Sequence, residues 1–100
     1  MKANLGDELQ RLAKDAAKRL EGRIDERLRP RLTQLLQDQA MTFARKAAGE
    51  DVTTAEIALA ASFLNVPREE RAVIELEAKE LALQALATVF RVAIGAAMLA

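Results

Sequence analysis

The last twenty residues, LALQALATVFRVAIGAAMLA from Leu81 to Ala100, constrain the fold more than any other stretch. Only Gln84, Thr88 and Arg91 interrupt their apolar character. A helix that is apolar on every side has to be surrounded, by protein or by lipid. Lipid is the less favourable surrounding. The eight leucine, isoleucine, valine and phenylalanine side chains in this stretch favour insertion by about 0.3–0.6 kcal/mol each at most, while one central arginine costs about 2.5–3.5 kcal/mol. Arg91 sits close to the middle and Gln84 adds to the cost, so the sum lies near zero. Glu75, Glu77 and Glu80 precede the stretch, with Lys79 as the only positive anchor among them. The expectation is a helix buried in a protein core. A membrane-associated protein anchored by this C-terminal helix is the alternative.

Burial within protein needs other elements, and composition says what they are. Alanine supplies 21 of the 51 apolar residues and leucine 15, aromatics make up 3%, and there are only four glycines and two prolines. That balance favours helices over sheets. Alanine lets helices approach closely but buries little area per residue. A length of 100 residues allows one domain. The predicted fold is all-α, four helices in a single domain over residues 1–100. Three short helices cannot cover the fourth completely, so a second copy is expected to complete the core, most simply as a C2 dimer. Leu83, Leu86, Phe90, Ile94 and Met98 are the residues expected at that interface.

Helix boundaries follow from periodicity and punctuation. Leu5, Leu9, Leu12, Ala16, Leu20, Ile24 and Leu28 form one stripe at spacings of four and three, predicting a helix over about 5–29. Arg11, Asp15 and Arg19 stand four apart on it, as a chain of ion pairs would. Pro30 marks a kink or short break and opens the second helix, 31–48. There Leu32, Leu35, Leu36, Ala40, Phe43 and Ala44 share a face, and Gly49 ends the run. Thr53 followed by Glu56 reads as a capping box, so a third helix is predicted over 54–64. It carries no charge after Glu56 and is expected to be largely buried. Asn65-Val66-Pro67 separates it from a fourth helix, 67–98, with Glu69 and Glu70 at its positive end. Val73, Ile74, Leu76 and Leu81 are its predicted inner face before the apolar stretch begins.

Catalytic chemistry has little to work with. The chain has no cysteine and no histidine, which removes thiol chemistry, zinc-thiolate sites and the commonest general base. Ser62, the only serine, lies in an apolar helix and reads as a packing residue. The carboxylate pairs Glu21/Asp25 and Glu77/Glu80 lack the histidines of a di-metal bundle site, and neighbouring cations explain them as surface groups. Single scattered glycines make no phosphate loop, and Met41 and Met98 read as core fillers. No enzyme activity, metal or cofactor is expected. Charge is more informative: residues 1–48 hold eleven basic and seven acidic residues, residues 49–100 four and eight, within a net charge of zero. Arg19, Arg23, Arg27 and Arg31 concentrate near the first joint and are the candidate anion contacts, since arginine suits phosphate. Pairing with nearby acids is the simpler expectation for them.

The run from Phe43 to Ile57, FARKAAGEDVTTAEI, resembles the junction between the second and third helices of histone-fold proteins. Both show an apolar-striped helix, a glycine, a short loop with Val-Thr, and an acidic residue at the start of a short helix. With its Arg29-Pro30 entry, the stretch 29–61 also resembles the small helical domain of the protochlorophyllide-reductase-like family. The histone resemblance implies a handshake dimer that binds nucleic acid. Gly49-Glu50-Asp51 departs from it, because histone folds place basic residues in that loop, and they have no counterpart to the long fourth helix. The reading that follows is a cytoplasmic, non-enzymatic, self-associating interaction or structural module, the opening residues holding no apolar signal region. The alternatives are a histone-like nucleic-acid-binding dimer and the membrane-associated protein.

Overall fold

The computed structural model describes residues 4–99, the side chains of Ala96 and Leu99 excepted. Four helices follow in order: α1 Leu5–Leu20, α2 Arg29–Ala47, α3 Thr53–Ser62 and α4 Arg68–Leu99. No strand occurs among the described residues, and the all-α, four-helix architecture is the one that composition and periodicity predict.

The first helix is shorter than the leucine stripe suggests. Asn4 caps α1 by accepting from the Gly6 N–H at 2.8 Å. The helix ends at Leu20, and two single 3-10 turns, Glu21–Arg23 and Glu26–Leu28, complete the connection to α2. Between them Ile24 is extended, and the Asp25 carboxylate accepts from the Arg27 N–H at 2.8 Å, starting the second turn. The stripe misleads because Leu20, Ile24 and Leu28 are all buried in this turned path as they would be in a helix. Arg29 braces the joint by donating to the Glu21 carbonyl at 3.1 Å. Pro30 occupies the first turn of α2, where its missing N–H leaves no bond unmade.

At the other end of α2, Gly49 has φ +85°, a left-handed conformation that glycine adopts without strain. Its N–H donates to the Lys46 carbonyl at 3.0 Å and the Glu50 N–H to Arg45 at 3.0 Å. This pair of bonds is a Schellman stop. The start of α3 differs from the expected capping box. Thr53 is already helical, and Asp51 is the capping group, its Oδ1 accepting from the Thr53 N–H at 3.0 Å and the Thr53 hydroxyl at 2.7 Å. Glu56 reaches across to Lys46 at 3.3 Å instead of back to the cap.

α1, α2 and α4 pack pairwise and enclose the core, while α3 leans on α2. Met41 of α2 lies beside Gly6 at the start of α1, so α2 folds back along α1. Arg19 meets Glu77 and the Asp25 N–H meets Glu70, so α1 and α4 are antiparallel. Leu9, Leu32, Leu36, Phe63, Ile74 and Leu81 are the largest fully buried side chains. Between them lie Ala13, Ala16, Ala40, Ala44, Ala78, Ala82 and Ala85, all buried. Small residues at these crossings let the axes approach toward the short end of the usual ~8–10 Å separation. Length separates α4 from its neighbours. At 1.5 Å per residue its 32 residues run about 48 Å, and the molecule's longest dimension is 49 Å. α1 and α2, with 16 and 19 residues, run only about 24 and 28 Å. The end of α4 therefore projects past the bundle.

α3 is less enclosed than its sequence suggests. Within it only Leu59 is buried, while Ile57, Ala58, Ala60 and Ala61 are exposed. A ten-residue helix resting against one neighbour buries one side, and lack of charge does not change that. Leu76 departs from expectation too: it faces outward on α4, and Met98 fills no core.

Candidate functional site

At about 100° per residue, α4 carries two apolar stripes on opposite sides. The inner stripe, Ile74, Ala78, Leu81, Ala82 and Ala85, is buried against α1 and α2. The outer stripe holds Leu76, Leu83 and Phe90 at seven-residue intervals, joined by Ala87, Ile94 and Met98. Leu76, Leu83, Phe90 and Met98 are 65, 64, 66 and 81% exposed, and Ile94 43%. Opposite stripes explain how a helix can pack firmly in this small bundle and still present large apolar side chains to water. Exposed apolar surface is a feature by which interaction sites are commonly recognised.

The residues expected at an interface divide between the two sides. Leu83, Phe90, Ile94 and Met98 lie on the outer stripe, whereas Leu86 is half-buried at the edge of the core. Sequence reasoning missed Leu76. Its seven-residue spacing to Leu83 and Phe90 was the available signal, masked by the apolar residues around it. A smaller exposed apolar area lies on α3 and the turn after it, where Ile57 and Leu64 are 67 and 79% exposed.

The arginines around the first joint are mostly engaged within the chain. Arg19 pairs with Glu77 at 2.6 Å, and Arg27 lies 3.9 Å from Asp25. Arg31 donates to the Ser62 carbonyl at 2.7 Å, holding the end of α3. Arg23 is exposed and forms no ion pair among the described residues. Arg11 pairs with Glu8 at 2.7 Å rather than with Asp15, so the expected Arg11–Asp15–Arg19 chain does not form. The Glu8 carboxylate, hydrogen-bonded to the Arg11 guanidinium, holds that group more firmly protonated than usual. A cavity of about 560 Å³ lies between α1 and the start of α2. Its rim mixes Arg11, Lys14, Lys18 and Arg29 with Asp7, Asp15 and Glu21, so it offers no field of one sign.

Ser62 is not placed for nucleophilic work: its hydroxyl donates to the Ala58 carbonyl one turn back at 3.1 Å. Among the described residues no group of three or more acidic side chains is arranged to hold a metal ion. Nor, among those residues, is any helix long and apolar enough to cross a membrane. Comparison with protein families, with curated proteins and with solved structures finds no match for this chain.

Proposed function

We propose that the chain is a non-enzymatic self-association module in which two copies pair through the outer stripe of α4. The observation that supports the reading most is the stripe itself, Leu76, Leu83, Phe90 and Ile94, exposed directly opposite the face that builds the core. Four large apolar side chains left in water on a rigid helix are a ready contact, each worth about 1.5–3 kcal/mol when fully covered. A second copy supplies an identical stripe without requiring any other component, and closed twofold pairing is the commonest way for like surfaces to meet.

Light scattering and sedimentation over a range of concentrations test the reading. The parent protein has twice the chain mass. Leu83→Asp and Ile94→Asp each halve it while the far-ultraviolet circular dichroism keeps its helical form. A parent protein of single-chain mass at every concentration overturns the proposal, as does a mass that neither substitution changes.

A further inference from the structure

We propose that α3 is a detachable flap: it melts and leaves α2 as one unit while α1, α2 and α4 stay folded, and its departure joins the two cavities beside it into one open groove along α2. The inference is independent of the pairing through α4.

α3 has ten residues, and helices below ~12–15 residues are marginal in water unless packing holds them. Its packing is slight. Leu59 is its one buried residue, with Ala55 and Ser62 half-buried. Ile57, Ala58, Ala60 and Ala61 already face water, so release uncovers a single large side chain of α3. The polar tethers lie at the surface. Lys46 meets Glu56 at 3.3 Å with both side chains half or more in solvent, a setting in which an ion pair contributes little. Arg31 donates to the Ser62 carbonyl at 2.7 Å, also in an exposed position.

Packing is interrupted on both sides of Leu59. A cavity of about 290 Å³ lies where α2, α3 and α4 meet, with Lys46, Glu56, Arg71 and Glu75 in its wall. A second, of about 220 Å³, lies between α2 and α3 and is bordered by Asp38, Met41, Ala55 and Ala58. Thr42 and Leu59 line both cavities, so this pair is the partition between them. Withdrawing Leu59 leaves one groove along α2 and uncovers Thr42, a polar residue only 6% exposed when α3 is in place. The Thr42 hydroxyl donates to the Asp38 carbonyl at 2.9 Å, a bond within α2 that the departure of α3 does not break.

The chain on either side of α3 is fixed. Val52, just before it, and Phe63 and Val66, just after it, are 4, 2 and 8% exposed. The Arg71 guanidinium lies 5.1 Å from the centre of the Phe63 ring, a cation–π contact that ties this end to α4. Ten residues span about 15 Å as a helix and up to about 33 Å when extended, so the melted segment bridges its anchors without moving them. A weakly held middle between two buried ends is a unit that can open far short of global unfolding.

Native-state hydrogen exchange over a series of low urea concentrations tests the flap on the unaltered protein. The amides of residues 57–62 are expected to report one common opening constant, about a hundredfold or more above that of the slowest amides of α2 and α4, and nearly independent of urea because little surface is exposed. The chain has no cysteine, so an introduced thiol reads the groove. Thr42→Cys should react with a thiol reagent at the rate set by the opening of α3. Ala16→Cys, at a fully buried position of α1, should react about tenfold or more slowly, through global unfolding alone. Amides of α3 that share the opening constant and urea dependence of α2 and α4 overturn the proposal, because α3 then unfolds only with the whole chain. Amides of α3 that each open independently overturn it as well, and so does equal labelling of the two cysteine variants.

Discussion

The two faces of α4 are both apolar, yet they are built from different side chains. Inward, three of the five buried residues are alanines, Ala78, Ala82 and Ala85, in a core that also holds the small residues Ala13, Ala16, Ala40 and Ala44 of α1 and α2. Outward, Leu76, Leu83, Phe90 and Ile94 are large and exposed. The inner face is limited by volume, because three helices compete for one narrow core. The outer face has no such limit, and its large side chains offer more area to whatever covers them. Size therefore separates the contact that makes the fold from the contact proposed to join two folds.

A charge placed on each face should break the symmetry most strongly. Ile74 is fully buried, so Ile74→Asp forces a carboxylate to ionise without solvent or to stay protonated, at several kcal/mol either way. A total stability of ~5–15 kcal/mol leaves little after that loss, and circular dichroism should show the variant unfolded or molten at 25 °C. Leu76→Asp, two residues along and facing outward, should keep its helical signal and lose only mass in sedimentation. Equal unfolding of both variants would mean that the faces do not differ in the way described.

Added volume tests the same contrast less severely. Ala85→Leu overfills a crossing with no spare room and should cost about 1–3 kcal/mol, read as a lower melting temperature. Ala87→Leu adds the same atoms to the outer stripe and should leave the monomer's stability unchanged.

The smallest effect belongs to a change that touches neither face. The two hydrogen bonds from Thr53 hold the Asp51 carboxyl below its usual range. A depressed carboxyl stabilises the fold above the unfolded-state value, about 3.9, and that contribution is lost as pH falls through the lower folded-state value. Asp51→Ala should therefore lower the melting temperature slightly at neutral pH, and the difference from the parent should shrink as pH drops below 4. Hydrogen exchange should place the loosening in α3 and leave the amides of α4 protected as before.

Legibility in the sequence varied with the range of the cause. The end of α2 was readable from Gly49 because the Schellman bonds join residues three and five apart. The cap of α3 was also local, but Thr53 and Asp51 both had suitable side chains, and the backbone placed Asp51 where it could accept. The joint after Leu20 was harder. Gly22, the turn-forming Asp25 and Pro30 were its signals, overshadowed by a leucine stripe that a turned path buries equally well. Burial of α3 was overestimated because the absence of charge makes burial affordable without supplying a neighbour. Most of the outer stripe was legible as apolar, whereas Leu76 became recognisable as part of it only once its direction was fixed.

By itself the sequence determined that this chain is helical, where most helices start and stop, and that the last twenty residues carry few polar side chains. Those properties depend on spacing, propensity and caps, which act over a few residues. Tertiary structure alone decided which stripe of α4 turns inward. A helix apolar on two opposite sides has two ways to pack, and the choice fell to α1 and α2, whose small residues fit the alanine side and leave the large side chains outside.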